Sequence, residues 1–287
     1  MTETWTVLKV LQWTADYLKE KGIPGGRLDA ELLLAEVLNL DRVGLYLNYD
    51  RPLLATELSA YRLMVGRRSR REPLQYILGR TEFWSLPFFV DPAVLIPRAD
   101  TEVLVEECLT RVPAGGTILD VGTGSGAIAV AIAHELSDAS MVAIDISAEA
   151  LRTAAINAER NGVAGQIRFM QIDLAALPAG PFDLIVANPP YIPLADLEGL
   201  MPEVRDHEPS SALAGGIDGL DCYRLLAGQA LDHLRPGGWL LVEVGIGQAA
   251  LVRELFDQAG LQEGFCRNDY SGVPRVVGGR RPMQENS

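Results

Sequence analysis

Cysteine is scarce and scattered: Cys108, Cys222 and Cys266 are the only three in 287 residues, and no two form a C-x-x-C pair. That excludes a disulfide framework and a zinc ribbon, and leaves reduced, buried thiols as the expectation. No apolar run reaches the roughly 18 residues needed to cross a bilayer. The opening stretch MTETWTVLKVLQW carries an acid where a secretion signal carries positive charge, so a cytoplasmic chain without a membrane segment is expected. Positive charge is in deficit, with 25 Lys and Arg against 38 Asp and Glu for a net −13. That balance argues against a protein whose main task is to coat nucleic acid. Repeats and low-complexity segments are absent, and only the tail MQENS reads as disordered. What is present is ordinary for a globular protein, 48% hydrophobic and 22% charged, with length for one large domain and one small one.

One basic cluster stands against the acidic background: Arg62, Arg67, Arg68, Arg70 and Arg71 in YRLMVGRRSRREP. It reads either as a solvated helix face or as a docking face for an acidic or RNA-bearing partner. It closes a helical region, residues 1–73. There Leu8, Leu11, Tyr17 and Leu18 recur at helical steps before Gly22 to Gly26, a second helix starts at Asp29 and stops near Asn39, and short helices are broken at Asn48 to Pro52. The expectation is a small bundle that serves substrate recognition, or otherwise only as a folding partner. Residues 74–96, rich in aromatic and β-branched residues with turn signals at Gly79 and Ser85 to Pro87, read as a β-hairpin linker.

From residue 97 to 287 an amphipathic helix starting at Asp100 is followed by short apolar runs alternating with helical stretches, the pattern of a parallel sheet covered on both faces. The runs are 117–121, 141–145, 167–173, 182–188 and 239–244, with weaker ones near 264–268 and 274–278; RPGGW reads as a tight turn into the fifth.

Open sheets of this kind bind ligands at the carboxyl ends of their strands. After the first strand comes Asp120-Val-Gly122-Thr123-Gly124-Ser125-Gly126-Ala127, opening a helix. Its glycines let the backbone turn sharply and approach a ligand in front of free helix N–H groups. The same string satisfies G-x-G-x-x-A, so a dinucleotide site competes at this point. The second run ends in Asp145, suited to both hydroxyls of a ribose, and the third in Asp173, suited to an adenine amino group; either acid could instead cap the helix that follows. The fourth ends in Asn188-Pro189-Pro190-Tyr191.

DVGTGSG and NPPY in one chain resemble the class I S-adenosylmethionine-dependent methyltransferases that act on planar nitrogens, DNA adenine amines and protein glutamine amides alike. Such a nitrogen has its lone pair delocalised, and acceptors aimed at its N–H groups position it and favour rehybridisation as a methyl arrives. Asn188 Oδ1 supplies one acceptor and a backbone carbonyl, that of Pro189, the other. The prolines hold the segment extended and offer no N–H to a ladder, and Tyr191 offers a face for stacking. No strong base is required, and His207 is set aside.

Beyond the tetrapeptide, REPLQYILGRTEFWSLPFFVDPAVLIPRADTEVLVE, EPSSALAGGIDGLDCYRLL and DYSGVPRVVGGR resemble the HemK/PrmC family of release factor glutamine methyltransferases, in which Pro97 to Glu102 reads P-R-P-[DE]-T-E; here Ala99 replaces a proline. The resemblance implies a Rossmann-like, mostly parallel seven-stranded sheet. It implies S-adenosylmethionine as donor, with S-adenosylhomocysteine as product, and N5-methylation of the glutamine in the Gly-Gly-Gln motif of release factors. By motif, Gly122, Thr123, Gly124, Ser125, Gly126, Asp145, Asp173, Leu174 and Asn188 would line the cofactor site. Asn188, Pro189, Pro190 and Tyr191 would hold the glutamine, with Asn188, Pro189 and Tyr191 catalytic, and no metal is expected. A cavity rimmed by Asp120, Asp145 and Asp173 suits a cationic cofactor better than a pyrophosphate. The alternatives are a ribosomal-protein glutamine, a DNA adenine, which the acidic charge and the lack of a basic insertion disfavour, and a non-enzymatic adenosyl-ligand-binding module.

Overall fold

The computed structural model describes residues 4–283, so the expectation for the tail beyond Met283 falls outside the described residues. Two compact units are present. The first runs to Gly79 and takes in Pro202–His207; the second comprises Arg80–Met201 and the chain from Glu208 on.

In the first unit, α1 (Val7–Glu20) buries the stripe Val7, Val10, Leu11, Thr14 and Leu18 and is capped by the Thr6 hydroxyl, the spacing of one helix face. α2 (Gly26–Leu38) begins three residues before the expected Asp29, because Gly25 makes the left-handed turn that starts it. Asp29 instead sits inside the first helical turn and accepts from Arg68 Nε at 2.6 Å. α3 (Arg42–Leu47), α4 (Ala55–Ser69) and α5 (Leu74–Leu78) complete the bundle around Leu11, Leu33, Leu34 and Ile77. α5 occupies the first part of the expected hairpin and ends at Gly79, whose φ of +66° closes it.

The arginine cluster is largely consumed inside this unit. Arg67 pairs with Glu72, while Arg68 and Arg71 both pair with Glu203. Arg62 and Arg70 are left exposed.

The second unit opens with the hairpin β1 (Arg80–Phe83) and β2 (Leu86–Phe89), shorter than expected and turned at Trp84 and Ser85, both at φ +54°. Then follow α6 (Glu102–Leu109), β3 (Thr117–Val121), α7 (Ala127–Glu135), β4 (Ser140–Asp145), α8 (Ala148–Arg160), β5 (Ile167–Gln171) and β6 (Phe182–Ala187). α9 (Pro202–Arg205) lies in the stretch that belongs to the first unit. α10 (Asp221–His233), β7 (Leu234–Glu243), α11 (Ala249–Gln258), β8 (Gln262–Asn268) and β9 (Pro274–Arg280) complete the chain.

The seven strands run in the order β5-β4-β3-β6-β7-β9-β8. Only β9 runs against the others, antiparallel to β7 on one side and β8 on the other. Along each strand, alternate residues enter different cores: Ile118, Leu184 and Val186 pack with α7, which is buried from Ala127 to Ala133, and Leu119, Ile185 and Ala187 pack with α10 and α11. β7 starts earlier than expected. Its pairing with β6 jumps from Phe182↔Leu234 to Leu184↔Trp239, so RPGGW forms a bulge within the strand rather than a turn before it. The expectation of buried thiols holds for Cys108 alone; Cys222 is half-buried and Cys266, on the edge strand β8, is exposed.

Chain order reverses between β3 and β6, the neighbours at the centre of the sheet. That switch point is where an open sheet leaves a crevice beyond its carboxyl ends.

Candidate active site

The loop after β3 is built by its glycines. Gly122, Gly124 and Gly126 have φ of +72°, +56° and +81°, backbone that other residues adopt at a cost. Gly122 and Thr123 N–H both donate to Ile144 O at 2.9 Å, which fastens the loop over the end of β4. Asp145, the last residue of β4, closes the arrangement: Oδ2 accepts from Gly124 N–H and Oδ1 from Ser147 N–H, each at 2.9 Å. Ser147, not Asp145, caps α8. Asp173 is a cap, accepting from Ala175 N–H at 2.8 Å at the head of a short 3-10 turn. From α8 the buried Asn157 reaches across to the hairpin and the loop, accepting from Phe89 N–H and donating to Phe89 O and Ser125 O.

These elements enclose a cavity of ≈ 250 Å³. Gly122, Thr123, Gly124, Ser125, Asp145, Asp173, Leu174, Asn188, Pro189 and Pro190 all line it. Three expected positions do not. Gly126 lies below the loop, where a Cβ would meet Ala154 of α8 at 3.1 Å. Asp120 is fully buried and accepts from Thr123 Oγ1 at 2.6 Å, so it supports the loop and forms no part of the rim. Burial pushes its carboxyl up to about 7, against the Thr123 hydrogen bond, with the Asp145 charge adding to the rise. Tyr191 is half-buried against the α10–α11 core, and burial pushes its hydroxyl up to about 12. His207 contacts Arg70 O in the first unit and takes no part in the cavity.

Sequence reasoning missed other walls: Phe83 of the hairpin, Arg98 and Thr101 before α6, Ile146 after Asp145, and Cys222 of α10. Thr101 and Arg98 stand in the Pro97–Glu102 stretch, whose motif was the available signal.

The segment after β6 is held by a second glycine-rich stretch. Ile192 N–H donates to Leu213 O and Gly215 N–H to Ile192 O. A Cβ on Gly215 would stand 2.7 Å from Pro190 O, and one on Gly219 would stand 2.3 Å from Tyr191 O. Gln248 Nε2 donates to Tyr191 O at 2.9 Å. Asn188 Nδ2 donates to Thr101 Oγ1 at 3.2 Å, which leaves Oδ1 as the side-chain atom available to the cavity.

The donor set fits an adenosyl cofactor bearing a sulfonium and an ammonium. Acids stand at the end of β4 and just after β5, apolar Ile146 and Leu174 follow them as walls for a flat base, and Ala127 and Ile128 at the start of α7 line the same space.

This sheet, with its glycine loop, its strand-terminal acids and its helical first unit, defines a class I methyltransferase. Residues 98–198 match the methyltransferase small domain model and residues 9–79 the PrmC N-terminal domain model. A release factor glutamine methyltransferase of Geobacter sulfurreducens is 54% identical over 97% of this chain and 98% of its own. Another from Chlorobaculum tepidum is 44% identical over 88% of this chain and 90% of its own. Among solved structures, a methyltransferase from Pyrococcus furiosus overlays with a TM-score of 0.52 at 19% identity, covering 69% of this chain and 90% of its own, and so shares the fold. The chain belongs to the release factor glutamine methyltransferase family.

Proposed function

We propose that this chain transfers a methyl group from S-adenosylmethionine to the side-chain amide nitrogen of the glutamine in the Gly-Gly-Gln motif of peptide-chain release factors, in the cytoplasm. Near-full-length similarity to curated release factor methyltransferases supports the substrate. Among the described residues no helix is long and apolar enough to cross a membrane. The observation that carries the chemistry is Asn188, whose amide N–H is taken by Thr101 while its residue lines the cavity.

The Gly122–Ser125 loop, Asp145, Asp173 and Leu174 would hold the cofactor, which when bound would supply an electrophilic methyl on sulfur. The chain's own part is to present the nucleophile. Asn188 Oδ1 and the Pro189 carbonyl accept from the two amide N–H groups of the glutamine, which draws the nitrogen lone pair out of conjugation and fixes its direction. The mostly apolar walls strengthen both hydrogen bonds. Among the described residues no histidine lines the cavity, and none is needed, because the methylated nitrogen becomes acidic and loses its proton to solvent.

The test is incubation with labelled S-adenosylmethionine and purified release factors, ribosomal proteins and DNA, followed by peptide mapping. Label on the Gly-Gly-Gln glutamine is expected; label confined to a ribosomal protein or to DNA would overturn the substrate assignment. Asn188→Ala is expected to lose about 10²-fold or more in kcat while binding the cofactor nearly as well by calorimetry.

A further inference from the structure

We propose that Glu243 and Thr101 form a polarity relay that decides which end of the Asn188 amide faces the substrate nitrogen. The inference rests on the reading of Asn188 as the acceptor, and both residues act through it as positioning residues.

Glu243 ends β7, the strand beside β6, with 2% of its surface exposed. Thr101 lies at the head of α6 and is also buried. Thr101 Oγ1 donates to Glu243 Oε2 at 2.6 Å and accepts from Asn188 Nδ2 at 3.2 Å. Three strand and helix ends far apart in sequence thus meet in one chain of hydrogen bonds, a buried carboxylate at its closed end and the cavity at its open end.

A hydroxyl has one proton to give. An ionised carboxylate can only accept, so it claims the Thr101 proton and leaves Thr101 only lone pairs for its other neighbour. The Asn188 amide must then turn its NH₂ toward Thr101 and keep Oδ1 for the cavity. With Glu243 protonated, the carboxyl O–H donates to Thr101, and the threonine proton swings toward Asn188, where Oδ1 is the matching partner. The amide rotates by a half-turn and presents NH₂ to a nitrogen that is itself a donor. One buried proton thereby converts an acceptor site into a repulsive one.

The groups facing Glu243 are the Asn188 amide itself, which reinforces the same NH₂-inward orientation, Arg275 from β9, Asp100 beside Thr101, Tyr191 after the prolines, and Tyr223 of α10, whose hydroxyl donates to Glu243 O at 2.9 Å. Arg275 is shared with Asp100 at 2.9 Å and Asp269 at 3.2 Å, so its charge is not devoted to Glu243. Burial pushes the Glu243 carboxyl up to about 7, against the Thr101 hydrogen bond, Arg275 and the Asn188 amide, with Asp100 adding to the rise. The relay is therefore set for catalysis above that pH and switched off as pH falls through it.

The experiment measures kcat and KM for a purified release factor with S-adenosylmethionine across pH, in the full-length chain and in Thr101→Val, Thr101→Ser, Glu243→Gln and Asn188→Ala. Thr101→Val is expected to lower kcat about 10²-fold with the cofactor KM little changed, and Thr101→Ser, which keeps the hydroxyl, to recover most of that loss. The parent is expected to show an acid limb in kcat near pH 7 that is absent from Glu243→Gln. Parental kcat in Thr101→Val, or an unchanged acid limb in Glu243→Gln, would overturn the relay. If Glu243→Gln does not fold, the valine and serine pair decides alone. Normal turnover in Asn188→Ala would remove the acceptor reading itself, whereas an inactive Asn188→Ala beside a fully active Thr101→Val would remove only the relay.

Discussion

At Asp145 both carboxylate oxygens already accept backbone N–H groups, from Gly124 and Ser147, so the residue shapes the glycine loop as well as facing the cavity. Asp145→Ala is expected to weaken cofactor binding by about 10- to 100-fold, the worth of one charged hydrogen bond, as read by titration calorimetry. Unchanged affinity would mean that the carboxylate serves the loop alone. Residues of this kind were legible because they end apolar runs, where strand-terminal chemistry is expected. Thr101 and Glu243 were not: they lie 87 residues before and 55 residues after Asn188, and although the Pro97–Glu102 motif marks Thr101 as a site residue, nothing local marks a hydrogen bond that only the sheet order creates. Asp120 was misplaced for a related reason, since a strand-end acid can point under its loop as easily as over it.

Among the elements, the stretch that pins the Asn-Pro-Pro-Tyr segment carries the sharpest steric demand. Gly215→Ala would bring a methyl to 2.7 Å from Pro190 O and Tyr191 Cα, backbone atoms that cannot swing aside. It is expected to lower kcat about 10²-fold, the effect of an ångström-scale displacement of a reacting group. Gly228→Ala, in α10 with open space around the new methyl, is expected to leave kcat unchanged and raise stability by about 0.5–1 kcal/mol. Equal kinetics in the two variants would show that the glycine contact does not hold the segment. The runs that became β3, β4 and β6 read well from sequence because central strands are mostly buried on both faces and therefore nearly continuously apolar. The first part of β7 did not, because its Pro-Gly-Gly looks like punctuation, and pairing with β6 resumes beyond it. α5 was hidden inside an aromatic stretch too short to show a helical period, and the hairpin linker came out shorter by those residues.

For the whole molecule, two buried acids couple folding to pH. Asp120 is raised from 3.8 and Glu243 from 4.5, each to about 7. Both hold a proton more tightly when folded than when unfolded, so their contribution favours the folded chain fully below about pH 4 and is lost as pH rises through 7. Asp120→Asn keeps an acceptor for Thr123 without the charge. It is expected to melt above the parent at about pH 8, with the gap closing toward about pH 5; a lower melting temperature throughout would contradict the sign. The charge state that the relay requires of Glu243 is thus the one that stability disfavours. A different consequence follows from Glu203, which holds Arg68 and Arg71 of the helical unit at 3.0 and 2.7 Å from 135 and 132 residues downstream. On a ribosome adding about 5–20 residues per second, α4 waits on the order of ten seconds for that counter-charge to be made. The unit that begins the chain is therefore completed only after β3 to β6 of the second unit have been made.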